Sequence, residues 1–216
     1  EYLKKAESLD GSDKIKIRIA ETLLYSGRYE EAKGMLGSMM AKSPDDMNIR
    51  IMYADSCAYG KDYVQAEKMY REIIASGGTS DVRRKLADVL SWDKKYRESI
   101  SLYDEIFADN GDPAVGLQKA RVLGWAREYD KSLKAYKEIF TATGDKKVEE
   151  EMMAKKAYWN GRVRNAINLY SGIISRDPDN LEAMFDLSQI YSYQSMWNEA
   201  GDIYRNILAR DPGRQR

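Results

Sequence analysis

The residues of this chain best placed to do chemistry form columns of rings and charges. An aromatic side chain recurs at Tyr25, Tyr59, Trp92, Trp125, Trp159 and Tyr193, at intervals of 34, 33, 33, 34 and 34. Rings at a fixed spacing are stacking platforms for an extended ligand, either a peptide or a glycan. Four residues before each ring stand Glu21, Asp55, Asp88, Arg121, Lys155 and Gln189, acidic in the first half and basic in the middle. The six rings with Asp55, Asp88, Arg121 and Lys155 make up the candidate ligand face. The plainer account of the charges is a solvated or internally paired row, because exposed ion pairs contribute little energy.

Other chemistry is excluded by composition. The 216 residues contain no histidine and one cysteine, Cys57. That removes Ser-His-Asp triads, Cys/His zinc sites and intrachain disulfides. There is no phosphate-binding G-x-x-x-x-G-K-[ST] loop, no G-x-G-x-x-G, no EF-hand loop and no N-x-[ST] acceptor. No catalytic residue, cofactor or metal ligand is therefore expected, and an enzyme reading would need sequence outside this stretch. The acidic run Glu149-Glu150-Glu151 reads as the complement of a helix dipole. Thirty-five basic and 35 acidic residues cancel, so the cationic field of a nucleic-acid binder is missing and no nucleic-acid partner is expected. No apolar run approaches the length of a membrane span, and direct membrane insertion is not expected. The start, Glu1-Tyr2-Leu3-Lys4-Lys5, shows neither an initiator methionine nor a signal-peptide pattern and reads as a fragment of a longer parent. One free cysteine fits a reducing cytosol and a periplasm equally.

The elements that position the rings follow from self-similarity. Small residues recur at Ala32, Ala66, Ser99, Ser132, Ala166 and Ala200, and twelve residues before them at Ala20, Ala54, Ala87, Ala120, Ala154 and Ser188. Three residues before the first set lie Tyr29, Tyr63, Tyr96, Tyr129, Val163 and Trp197; four after it lie Leu36, Tyr70, Tyr103, Tyr136, Tyr170 and Tyr204. Apolar residues recur at helical spacing in two blocks per copy, separated by turns such as Ser26-Gly27-Arg28 and Asn160-Gly161-Arg162. Each copy is a helix-turn-helix. Breakers such as Ser43-Pro44-Asp45, Asn110-Gly111-Asp112-Pro113 and Asp177-Pro178-Asp179 separate the copies. Cys57 falls in a core column and reads as a small buried hydrophobe.

This pattern resembles the tetratricopeptide repeat family over essentially the whole chain. With the anchoring Ala or Ser numbered 20, small residues match positions 8 and 20, aromatics match 17 and mostly 24, and Pro44, Pro178 and Pro212 match the family proline at 32. Position 4, usually aromatic in the family, departs as Lys16, Arg50, Arg83, Gly116, Glu150 and Met184. The resemblance implies an all-α, right-handed superhelical solenoid with one continuous core. It divides the chain into residues 1–12, the second helix of a truncated preceding repeat, and six repeats at 13–46, 47–79, 80–112, 113–146, 147–180 and 181–214. Cut end faces of such an array imply end-to-end self-association.

The ring column is position 13. At about 100° per residue it falls near 220°, whereas core positions 4, 7, 8 and 11 centre near 30°. That face of the first helices lines the concave groove of such a solenoid. Two placements stay open: an aromatic ladder along the groove, or rings lodged between first helices or folded over the turn onto the aromatic at position 17. The family's peptide-carboxylate clamp finds only scattered matches. The implied function is a non-catalytic scaffold that binds a protein or peptide partner. Leu90-Ser91-Trp92 followed by Lys95-Tyr96-Arg97-Glu98-Ser99, and Leu123-Gly124-Trp125 followed by Glu128-Tyr129-Asp130-Lys131-Ser132, are similar to repeats in periplasmic arms of outer-membrane exopolysaccharide exporters. That second resemblance implies a periplasmic parent that recruits a polysaccharide-modifying enzyme. The alternative is a solenoid that binds or guides a polysaccharide along the rings.

Overall fold

The computed structural model describes residues 13–210. The helix expected over 1–12 and the repeat start at Asp211-Pro212-Gly213 lie outside the described residues. Within them the chain forms twelve α-helices and no strand. They are α1 Asp13–Tyr25, α2 Tyr29–Met40, α3 Met47–Tyr59, α4 Tyr63–Ala75, α5 Ser80–Trp92, α6 Tyr96–Asn110, α7 Pro113–Trp125, α8 Tyr129–Thr143, α9 Lys146–Trp159, α10 Val163–Arg176, α11 Leu181–Tyr193 and α12 Trp197–Arg210. Consecutive helices pair as six hairpins, α1–α2 through α11–α12. The chain divides into two compact units, residues up to Leu102 and residues from Tyr103.

The six inner turns share one geometry with a local cause. In each, the residue two after the ring takes a left-handed conformation: Gly27, Lys61, Lys94, Arg127, Gly161 and Ser195. The next residue then donates its N–H back to the third residue from the helix end, as in Arg28 to Leu23 at 2.8 Å and Asp62 to Cys57 at 2.8 Å. This Schellman closure satisfies carbonyls that the helix end would orphan. Glycine adopts it without steric cost, while Lys61, Lys94, Arg127 and Ser195 each carry strain of about 1 kcal/mol. At the outer turns Asp or Asn side chains cap α3, α7, α9 and α11, at α3 and α11 one residue past the expected breaker, while Thr79 before α5 makes no side-chain cap bond. Asp46 accepts from the backbone N–H groups of Asn48 and Ile49, and Asp112 accepts from Ala114 with Pro113 opening α7.

The small columns set how closely the two helices of a hairpin approach. Ala20, Ala54, Ala87, Ala120, Ala154 and Ser188 are sealed, as are Ala32, Ala66, Ser99, Ser132, Ala166 and Ala200. Where serine replaces alanine, its hydroxyl donates across the hairpin: Ser99 Oγ to the Ala87 carbonyl at 2.8 Å and Ser132 Oγ to the Ala120 carbonyl at 2.6 Å. A buried hydroxyl is thereby satisfied instead of costing a desolvation penalty. Cys57 is sealed among Ala54, Ala66 and Tyr70, and burial pushes its thiol pKa up.

Candidate functional site

All six candidate rings occupy one structural place. Tyr25, Tyr59, Trp92, Trp125, Trp159 and Tyr193 are each the last residue of the first helix of a hairpin, so they stand at the turns. Each turn is followed at once by the first residue of the second helix, Tyr29, Tyr63, Tyr96, Tyr129, Val163 or Trp197. Rings of one hairpin lean on rings of the hairpin before it. Tyr59 packs on Tyr29 with centroids 5.7 Å apart, Trp92 on Tyr63 at 6.4 Å, and Trp159 stacks on Tyr129 at 4.7 Å and 22°. Tyr59 also meets Trp92 at 5.9 Å. A first helix taken alone would leave these rings uncovered; the neighbouring turn supplies the cover.

Exposure along the column is accordingly uneven. Tyr25 is 87%, Tyr59 46% and Tyr193 72% exposed, whereas Trp92, Trp125 and Trp159 are half-buried. Trp159 lies so close over Gly124 that a Cβ there would come within 2.9 Å of its ring. The phenols are the accessible platforms, and the indoles are largely packing residues that leave part of their surface open.

The candidate charges are engaged within the fold. Asp55 accepts from the Tyr70 hydroxyl, and Lys85 Nζ donates to both of its carboxylate oxygens at 2.7 and 2.6 Å. Arg121 forms a two-pronged pair with Glu151 at 3.0 and 2.8 Å, and Tyr136 donates to the same carboxylate at 2.6 Å. Lys155 reaches Asp186 at 2.6 Å, and Tyr170 donates to Asp186 at 3.0 Å. Asp88 is half-buried, and its backbone carbonyl takes the Ser91 hydroxyl at 2.7 Å. The motif is constant although the signs change: a buried tyrosine from a second helix, a charge from a first helix, and its counter-charge from the first helix of the next hairpin. Fork-on-carboxylate geometry and tyrosine donors satisfy lone pairs that burial would leave empty.

Electrostatics follow from that enclosure. Burial pushes the Glu151 carboxyl up, but the hydrogen bonds from Arg121, with Lys155 nearby, outweigh it and hold Glu151 below the usual carboxylate range. Burial raises Asp186 above its usual range, with Glu182 and Glu151 adding repulsion that Lys155 does not cancel. Lys155, whose side chain is 7% exposed, is pushed down by burial, yet Asp186 and Glu151 leave it raised overall. Glu151 is therefore more than a complement to a helix dipole, the role expected of the Glu149-Glu150-Glu151 run; Glu150 pairs with Arg176 at 2.7 Å. The tyrosine–carboxylate bonds were not foreseen from sequence. Their signal is the separation of 15 or 16 residues between partners, as in Asp55–Tyr70, Tyr136–Glu151 and Tyr170–Asp186. Among the described residues no three Cys, Asp or Glu side chains gather into a metal site, and no helix is long and apolar enough to cross a membrane.

Residues 23–89 match the tetratricopeptide repeat family model. A tetratricopeptide repeat protein from Parabacteroides merdae superposes with a TM-score of 0.61 at 10% identity, over 90% of this chain and 78% of that one. A thermophilic tetratricopeptide repeat protein of Thermus thermophilus gives 0.62 at 15% identity, over 83% of this chain and 98% of the other. The fold is that of the tetratricopeptide repeats. The pilF protein of Pseudomonas aeruginosa also superposes on this chain, with a TM-score of 0.58 at 16% identity over 99% of this chain and 95% of its own. At such identities the likeness speaks for the fold alone. No curated protein matches the chain in sequence.

Proposed function

We propose that this tetratricopeptide-repeat chain is a non-catalytic scaffold that holds a protein partner within a larger complex. The observation that supports it is the division of labour between charges and rings. Asp55, Arg121 and Lys155 join one hairpin to the next, while Tyr25, Tyr59 and Tyr193 at the turns keep open ring surface. Scattered apolar exposure is ordinary, but phenols repeated at the same place in their hairpins suit partner capture, since tyrosine binds with little entropy loss. The similarity of the Trp92 and Trp125 copies to exporter repeats supports a more specific place, the periplasmic arm of an exopolysaccharide export machine that recruits a polysaccharide-modifying enzyme.

Site-specific photo-crosslinkers at Tyr25, Tyr59 and Tyr193, with Ser38 on the exposed face of α2 as control, test the scaffold reading in the cell that makes the protein. The expected result is an adduct with one defined protein from the turn positions and none from Ser38. Equal labelling at all four sites, or none, overturns it.

A second reading is favoured by the contiguous rings Tyr29, Tyr59, Trp92 and Tyr63, whose centroids lie 5.7 to 6.4 Å apart. In it the chain binds or guides a polysaccharide along the turns. Loss of polysaccharide binding on Tyr59→Ala with helicity retained supports this reading.

A further inference from the structure

We propose that the turn edge of the first unit, formed by Tyr29, Tyr59, Tyr63 and Trp92 with Lys61 and Lys94, binds an acidic polysaccharide whose sugar rings carry separated carboxylates. The proposal rests on the polysaccharide reading above and names the class of polymer.

Three observations carry it. The rings form a closed ribbon, tilted 30 to 51° to one another with centroids 5.7 to 6.4 Å apart. Inserting a flat base between two parallel rings needs about 7 Å, two contact distances of about 3.5 Å, so the ribbon has no slot for one. It offers instead an outer surface across which the C–H face of a pyranose can lie, drawn by the electron-rich ring faces.

The second observation is charge. Lys61 and Lys94 are exposed, and among the described residues neither has an ion-pair partner. Lys33, Lys85 and Lys95, by contrast, are engaged: Lys33 with Asp62, Lys85 with Asp55, and Lys95 with Glu67 and Asp93. Each unpaired lysine stands in a turn two residues after a ring of the ribbon. One unpaired cation per hairpin supplies one charge-assisted contact for a carboxylate at each turn.

The third is backbone conformation. Lys61 and Lys94 hold φ of 66° and 62° at the place where two other hairpins use Gly27 and Gly161, at 74° and 73°, and the remaining two use Arg127 and Ser195. The turn closes without a side chain there, so the fold itself does not call for these lysines.

The test is titration of the 216-residue chain with oligogalacturonate and with a neutral cello-oligosaccharide of equal length, read by calorimetry and Trp92 fluorescence. The acidic polymer is expected to bind at least about tenfold tighter, with affinity falling as salt rises. Lys61→Gly/Lys94→Gly is expected to weaken acidic binding about tenfold and flatten the salt dependence, while helicity and the melting temperature hold. That variant keeps the turn geometry, so lost binding cannot be charged to misfolding. Equal binding of both sugars, unaffected by the lysine changes, overturns the acidic class and leaves the polysaccharide reading standing. Binding of neither overturns both. Tighter, lysine-dependent binding of an acidic peptide or a single-stranded oligonucleotide overturns the polysaccharide as occupant.

Discussion

Lys155 shows how a residue with the look of a ligand contact can be consumed by the fold. Its ammonium sits 2.6 Å from Asp186 and 3.8 Å from Glu151, on a face that the sequence leaves open to solvent. Deleting one partner of such a pair strands a buried charge. Lys155→Ala or Asp186→Ala should each cost about 3–5 kcal/mol in urea unfolding, whereas Lys155→Met/Asp186→Leu should recover most of that loss. Equal destabilisation by the double change would show that the pair itself, and not its symmetry of charge, holds the hairpins together. The alternation of Asp55, Arg121 and Lys155 was visible in the sequence. Their partners were not, because a counter-charge about 30 residues away is fixed by how hairpins stack and by no local period.

At the scale of elements, the turn decides where the rings go. Each first helix ends on its ring because the next two residues close a Schellman turn, and that turn swings the second helix back so that the ring meets the neighbouring hairpin. Gly124, one residue before Trp125 in α7, leaves room for the Trp159 indole, which also stacks on Tyr129. Gly124→Ala places a Cβ against that ring. It should destabilise the protein by about 1–3 kcal/mol, as overpacking does, and shift the tryptophan emission of this part of the chain. An unchanged melting temperature and spectrum would mean that the indole yields freely. The sequence announced the helices, the small columns and the caps, which depend on neighbours within a few residues. It left the placement of the rings between two alternatives; Tyr59, Trp92 and Trp159 pack on the first ring of the preceding hairpin's second helix, while Tyr25 and Tyr193 stay exposed.

For the molecule as a whole, the absence of histidine removes any side chain that ordinarily titrates near neutrality. Stability should be flat between about pH 6 and 8. Below that, carboxylates decide. The hydrogen bond from Lys33 holds Asp62 below its usual 3.8. Glu67, raised by burial, is brought below 4.5 by hydrogen bonds from Lys95 and Arg71, and Glu151 is held below 4.5 by Arg121 despite its own burial. Groups depressed in the folded state stabilise it above their unfolded values and lose that contribution as pH falls through the folded ones. Asp186, raised by burial, runs the other way and offsets part of the loss. The urea midpoint should therefore drop between about pH 4.5 and 3, and Asp186→Asn should steepen the drop by removing the offsetting group. A midpoint that is constant to pH 3 would contradict this balance. What the sequence determined by itself is the hairpin and its repetition, because helix period, small-residue contact and turn chemistry act over at most one copy of about 34 residues. Only the tertiary structure decided which charges are spent inside and which rings remain outside, because both depend on the register between hairpins, and that register exists only once the hairpins have stacked.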